Sequence, residues 1–249
     1  MPERIVSLGP SITAILWGMG AQDQVVGVSK HCSVLTPEAA NLPQLGDCWS
    51  ATAEEVLALN PDLVIGCLPY HPETTQKLIR GGFRFFAMYP KSLKDTFEDI
   101  QLLGDLTGHS FEASRLVETM KSEIEKVREQ TRNAANRPRI YCEEWIKPLM
   151  ASPGLVKEMV EIAGGTFVPE RAASIVESEE IIQADPELIV LAWCGAVGRS
   201  NPKKVYEREG WGQVQAVAEK KVYAIPDQFF NSPCQHLITG LHLLSKILH

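Results

Sequence analysis

The sequence predicts an α/β protein made of two Rossmann-like lobes with parallel sheets, joined by one long spine helix. Three observations predict it. Short runs rich in β-branched residues alternate with helix-like segments along the whole chain. The stretch Glu54-Glu55-Val56-Leu57-Ala58-Leu59-Asn60-Pro61-Asp62-Leu63-Val64-Ile65 recurs as Glu179-Glu180-Ile181-Ile182-Gln183-Ala184-Asp185-Pro186-Glu187-Leu188-Ile189-Val190, with no gap between the copies. Residues 110–135, free of Gly and Pro, place Leu116, Met120, Ile124 and Val127 along one helical stripe.

Taken in order, Ile5 to Leu8 reads as the first strand, and Ser11 as the N-cap of a helix that Gly18 to Gly20 ends. Val25 to Val28, Leu63 to Gly66 and Phe85 to Met88 read as strands, with helices near Ala53 to Leu59 and Glu73 to Arg80. Each copy of the repeat reads as helix, Pro-forced turn and buried parallel strand. A helix of ~24 residues over the central segment is about 36 Å long, the length of a lobe. The expected boundaries are an N-terminal lobe over 1–106, the spine over 107–136 and a C-terminal lobe over 137–249. In that second half, Ile140 to Cys142, Leu188 to Ala192 and Val222 to Ile225 read as strands. Leu155 to Ala163 and Leu237 to Leu248 read as helices.

With 45% hydrophobic and 22% charged residues, the 249-residue chain has the composition of an ordinary soluble protein. Its formal net charge of -7 argues against nucleic acid and anionic membranes as partners. No apolar run approaches the roughly 18 to 20 residues of a membrane span. Met1-Pro2-Glu3-Arg4 leads almost directly into the first strand without a signal-like segment, so a cytoplasmic location is expected; a periplasmic or lipid-anchored one is the alternative. The six cysteines form no CxxC pair, and His31, Cys32, Cys48 and Cys67 match no zinc spacing. There is no GxSxG, HExxH, phosphate loop or dinucleotide fingerprint, and no motif calls for a bound cofactor. An enzyme reading would rest on Cys142 as nucleophile with Glu143, Glu144 and His31 as acid–base partners.

In open α/β sheets, ligands bind beyond the carboxyl ends of the strands. Those ends hold Pro10 and Ser11, His31, Trp49, Tyr70, Trp145, Trp193 and the run Asp227, Gln228, Phe229, Phe230 and Asn231. Aromatic faces there supply contact area at low entropic cost, and a few polar groups fix orientation. Extended chain sends Phe229 and Phe230 to opposite sides, so one of them belongs to the core. Trp17 and Trp211 read as packing residues. A neutral His31 suits axial ligation of a chelated metal or a hydrogen bond to an amide; His71 and His236 are weaker metal-ligand candidates.

The segments Arg4-Ile5-Val6-Ser7-Leu8-Gly9-Pro10-Ser11, Val26-Gly27-Val28-Ser29 and Leu45-Gly46-Asp47-Cys48-Trp49 through Ile65 resemble the BtuF-like, helical-backbone solute-binding proteins of ABC importers. That family takes up cobalamin, iron-siderophore chelates and heme. The resemblance implies a small molecule held in a cleft between two lobes, most of all a cobalamin-type corrinoid, with a siderophore or heme chelate as the alternative. It implies ligand contacts at His31, Trp49 and Asp227 to Asn231, a monomer, and an importer permease as partner. Two departures stand out. The second-lobe pocket Trp is replaced around Glu170-Arg171, and of the docking glutamates only the first is matched, by Glu73; Gly195 to Lys204 contains no acid. Glu143-Glu144-Trp145 and Cys194-Gly195 resemble signal-less relatives described as cobalamin-binding.

Overall fold

A computed structural model describes residues 1–46, 50–67, 72–132, 136–196 and 198–249. It resolves into two compact units, one of Met1–Pro90 with Lys94–Thr119, the other of Lys91–Leu93 with Met120–His249. The polypeptide passes from one to the other after Pro90, back after Leu93, and again after Thr119 within helix α5, described below.

In the first unit, β1 (Ile5–Leu8), α1 (Pro10–Gly18), β2 (Val25–Ser29), β3 (Gln44–Leu45), α2 (Ala53–Leu57), β4 (Leu63–Cys67), α3 (Pro72–Arg80) and β5 (Arg84–Met88) follow one another. α4 (Leu93–Thr107) and the 22-residue α5 (Ser110–Thr131) come next. The strands form one parallel sheet in the order β3-β2-β1-β4-β5. The order reverses between β1 and β4, which makes their carboxyl ends the switch point. β1 is buried at every position, as a central parallel strand covered on both faces must be.

The second unit comprises β6 (Arg139–Ile146), β7 (Leu149–Ala151), α6 (Gly154–Ile162), β8 (Thr166–Phe167), α7 (Ser178–Ala184), β9 (Leu188–Leu191), α8 (Lys203–Tyr206), α9 (Gln215–Ala218), β10 (Val222–Ala224) and α10 (Leu237–Leu248). Its sheet runs β10-β9-β6-β7. β8 pairs in parallel with the start of β6, and β7 pairs antiparallel with its end.

The two copies of the repeat share their local chemistry. α2 starts in a capping box of Thr52 and Glu55, and α7 in one of Glu177 and Glu180. Each copy then turns through a left-handed residue before its proline, Asn60 at φ 45° and Asp185 at φ 41°, residue types that tolerate this region. An arginine at the start of each unit's first strand closes the turn, Arg4 just before β1 and Arg139 as the first residue of β6. Arg4 donates to the carbonyls of Leu59 (2.7 Å) and Asn60 (3.0 Å), and Arg139 to those of Ala184 (3.2 Å) and Asp185 (2.8 Å). The acid after each proline accepts the arginine's amide: Arg4 N to Asp62 Oδ1 at 3.1 Å, and Arg139 N to Glu187 Oε2 at 2.9 Å. One supersecondary design is thus used twice.

Three sequence expectations need correction. Ser11 is not an N-cap: α1 begins at Pro10 with Gly9 as its cap, because a proline at the first helical position forfeits no hydrogen bond. The buried stripe of α5 is Ala113, Val117, Met120, Ile124 and Val127; Leu116 lies one position off it. α4 was not anticipated, although Leu93, Thr96, Ile100 and Leu103 form its buried face.

Candidate functional site

Among the described residues, those expected to meet a ligand sit at the carboxyl edges of the two sheets. In the first unit, Pro10 and Ser11 follow β1, and exposed His31 follows β2 at the start of a 3-10 turn over Cys32–Val34. Beneath them lies a buried polar cluster. Ser7 and Thr13 share a hydroxyl bond of 2.7 Å, Thr13 Oγ1 donates to Cys32 Sγ at 3.1 Å, and Ser29 Oγ lies 3.1 Å from the same sulfur. These bonds fix the turn that carries His31. Ser11 is 4% exposed, so its side chain belongs to the interior and not to a ligand surface. Trp49, Tyr70, His71 and Cys48 lie outside the described residues.

In the second unit three segments meet beyond the strands: the β6–β7 hairpin, the loop after β9 and the loop after β10. Backbone bonds tie the first two, Ala192 N to Glu143 O (2.9 Å) and Cys194 N to Glu144 O (3.0 Å). Side chains tie the second and third: Gly195 N donates to Asp227 Oδ2 at 2.8 Å, and Asn231 Nδ2 to Ala192 O at 2.6 Å. Gly240 of α10 backs the third loop. A Cβ there would collide with the Phe229 carbonyl oxygen, so helix and loop approach as closely as only glycine allows.

A buried ion pair braces this edge. The fully buried Glu143 carboxylate takes a fork from Arg208, with Nη1 to Oε2 at 2.7 Å and Nη2 to Oε1 at 2.6 Å. Trp193 Nε1 adds a third bond to Oε1 at 2.8 Å. The Arg208 guanidinium also lies 4.5 Å above the ring of Trp211, which meets Tyr141 edge-on at 6.3 Å. No sequence signal joins Glu143 to Arg208, 65 residues away.

This arrangement bears on three expectations. Trp193, 8% exposed with its indole N–H committed to Glu143, is a structural residue and not a ligand platform. Phe230 is 0% exposed and is the core member of its pair, while Phe229 is half-buried beside His236, ring centroids 6.2 Å apart. Cys142 and Glu143 cannot supply nucleophile and base. Full burial pushes the Cys142 thiol far above its ordinary range, and Glu143 is locked in its ion pair. The thiols are therefore expected to separate sharply: exposed Cys194 should react with a thiol reagent in the native protein. Cys142 and Cys234, the latter pushed up to about 12 by burial, should react only on unfolding. Labelling followed by peptide mass analysis checks this, and native modification of Cys142 would contradict the packing.

The surface that remains is apolar. Trp145 pairs with Met150 across the hairpin, and Met150 bridges to Ile175. Directly paired residues of antiparallel strands share a face, so these three side chains form one row. Trp145 is 44% and Ile175 56% exposed. Sequence reasoning selected Trp145 but missed Met150 and Ile175, whose alignment depends on a pairing 25 residues apart. Next to Trp145, burial pushes the Glu144 carboxyl up to about 7. The native state therefore retains that proton longer than the unfolded chain, whose carboxyl titrates near 4.5. Stability should fall as pH rises from about 4.5 to about 7 and level off above. Denaturation midpoints across this range should fall more steeply in the native sequence than in Glu144→Gln, where Asp99, its carboxyl lifted to about 6 by burial, still contributes; an equal slope in both would contradict the assignment.

Among the described residues no three His, Cys, Asp or Glu side chains gather to hold a metal ion, and no helix is long and apolar enough to cross a membrane.

Comparison with known proteins agrees with this architecture. A vitamin B12-binding protein of Photorhabdus laumondii is 22% identical over 254 residues, covering all of this chain and 88% of its own length. The ABC transporter substrate-binding lipoprotein YvrC of Bacillus subtilis is 24% identical over 259 residues, covering all of this chain and 80% of its own length. The periplasmic heme-binding protein RhuT of Roseiflexus superposes with a TM-score of 0.87 at 23% identity, over 99% of this chain and 98% of its own. The periplasmic vitamin B12-binding protein BtuF of Vibrio cholerae does so with a TM-score of 0.80 at 21% identity, over 99% and 96%. These relatives are binding proteins, not enzymes, and with residues 5–229 matching its profile the chain belongs to the periplasmic binding protein family.

Proposed function

We propose that this protein captures a corrinoid of the cobalamin type. The observation that carries the reading is the row Trp145–Met150–Ile175 beside Glu144. A flat, largely apolar macrocycle needs a broad apolar face together with a few polar groups at its rim. The relatives named for vitamin B12 binding support the same ligand. Glu144, protonated below about pH 7, is suited to donate to a rim carbonyl. Phe229, Asp227 and Asn231 on the adjoining loop, and Pro10 on the first unit, are proposed as further contacts. His31 is proposed as an axial ligand of the chelated metal, a role its exposure permits. The name of the lipoprotein relative supports an ABC permease as partner, and exposed Glu73 in the first turn of α3 is proposed to take part in docking.

A thermal-shift panel tests the reading. Cyanocobalamin or cobinamide at a hundredfold excess over Kd should stabilise the protein by about 2.7 kcal/mol. No shift with either at high micromolar concentration would sink it, and a shift with heme or ferric siderophores alone would replace the corrinoid by an iron chelate. A visible spectrum of aquacobalamin that does not change on binding would remove His31 as axial ligand while leaving capture intact.

A further inference from the structure

The row Trp145–Met150–Ile175 is centred on a methionine, whose thioether is open to oxidation where it meets solvent. Six methionines occur in the chain, and their surroundings divide them sharply. Met19, Met88, Met120 and Met159 are each at most 1% exposed. Met1 is exposed at the start of the first unit. Met150 alone is a part-exposed methionine held within a strand, and that strand pairs with the carboxyl end of β6.

Its position makes its polarity decisive. Cross-strand pairing sets the Met150 side chain between those of Trp145 and Ile175 on one face. As a thioether it is apolar and adaptable, suited to follow the contour of a flat ligand. As a sulfoxide it is polar and chiral, with an S–O dipole at the centre of the face. The flat side of a macrocycle lying over that oxygen strips its water and offers no donor, which is the cost of burying an unpaired polar group. The strand itself is held by main-chain bonds that the sulfur does not touch. Ala151 N donates to Ser174 O at 2.9 Å, and Val176 N to Leu149 O at 3.0 Å.

We infer that Met150 is a modification site for peroxides, and that its sulfoxide switches ligand capture off. The sulfur gives an electron pair to one peroxide oxygen; the O–O bond breaks, an S–O bond forms and water leaves. The sulfur is thereby oxidised by two electrons and the peroxide reduced by two. Methionine sulfoxide reductases reverse the step. As a switch on corrinoid capture it rests on that reading, whereas the site of oxidation does not.

The test treats the native chain with dilute hydrogen peroxide, then with dithiothreitol to return any sulfenic acid on exposed Cys194 to the thiol. Peptide mass analysis should find sulfoxide at Met1 and Met150 about tenfold sooner than at the four buried methionines. The oxidised protein should bind cobinamide about tenfold more weakly in titration calorimetry, with a melting curve close to the native one. Methionine sulfoxide reductases acting on both epimers should restore the affinity, which dithiothreitol alone should not. Met150→Leu, a volume-conserving change, should bind near the native level and keep its affinity through peroxide, although its Met1 is still oxidised. Oxidation of Met150 no faster than of the buried methionines, or undiminished affinity of the Met150 sulfoxide form, would overturn the inference and leave corrinoid capture standing. Failure of the untreated protein to bind cobinamide would overturn the corrinoid reading and the switch together, with the modification site still decided by the sulfoxide pattern.

Discussion

Replacing Arg208 by methionine should destabilise the second unit by about 3–5 kcal/mol, the expected cost of stranding a buried charge. Glu143 is fully buried, and its carboxylate would lose both bonds of the fork while keeping that of the Trp193 indole. The sign of the effect comes from desolvation and not from the attraction itself, so removing both charges should recover much of the loss. Glu143→Gln combined with Arg208→Met keeps an acceptor for Trp193 and should therefore be more stable than Arg208→Met alone. Urea unfolding of the single and double variants measures this. A single-variant loss below about 1 kcal/mol, the range of exposed pairs, would show that the pair is not sealed from water. The exposed pair of Lys94 and Glu98 on α4 is a suitable control and should contribute little.

The second large effect is on binding. Trp145→Ala should weaken corrinoid affinity by about 2–4 kcal/mol, the range for a central aromatic contact. The same change should alter stability far less, because the indole is 44% exposed without ligand. Ile175→Ser, at the other end of the row, should weaken binding by a smaller amount. Titration of both variants, with melting curves alongside, separates contact from folding. Undiminished affinity in Trp145→Ala would move the ligand away from the β6–β7 hairpin.

Much of the fold was legible because parallel strands covered on both faces must be continuously apolar. Leu188–Leu191 announces itself in that way, and Ile5–Leu8 does so but for Ser7. The repeat was legible because the acidic pair, the proline and the strand recur in register. Its shared arginine clamp was not, since Arg4 and Arg139 act across more than forty residues. β7 and β8, of three and two residues, are too short to show a period. α4 did carry the signal, and its amphipathic spacing was simply there to be read.

The candidate site was legible only as chemistry at strand ends. Trp145 and Trp193 looked alike in sequence, both aromatic and both beyond a strand. Their opposite fates were decided by a partner: Glu143 captures the indole of Trp193, whereas Trp145 extends past the ion pair and lies across from Met150. Asn231 stood out as a polar loop residue, but its fixed orientation depends on the carbonyl of Ala192, 39 residues away.

Titration calorimetry of cobinamide into the protein, run beside heme under the same conditions, tests corrinoid capture most directly. Cobinamide should bind one-to-one, more tightly than heme, and more weakly in Trp145→Ala. Absence of any heat with cobinamide at high micromolar concentration, with clear binding of heme, would contradict it.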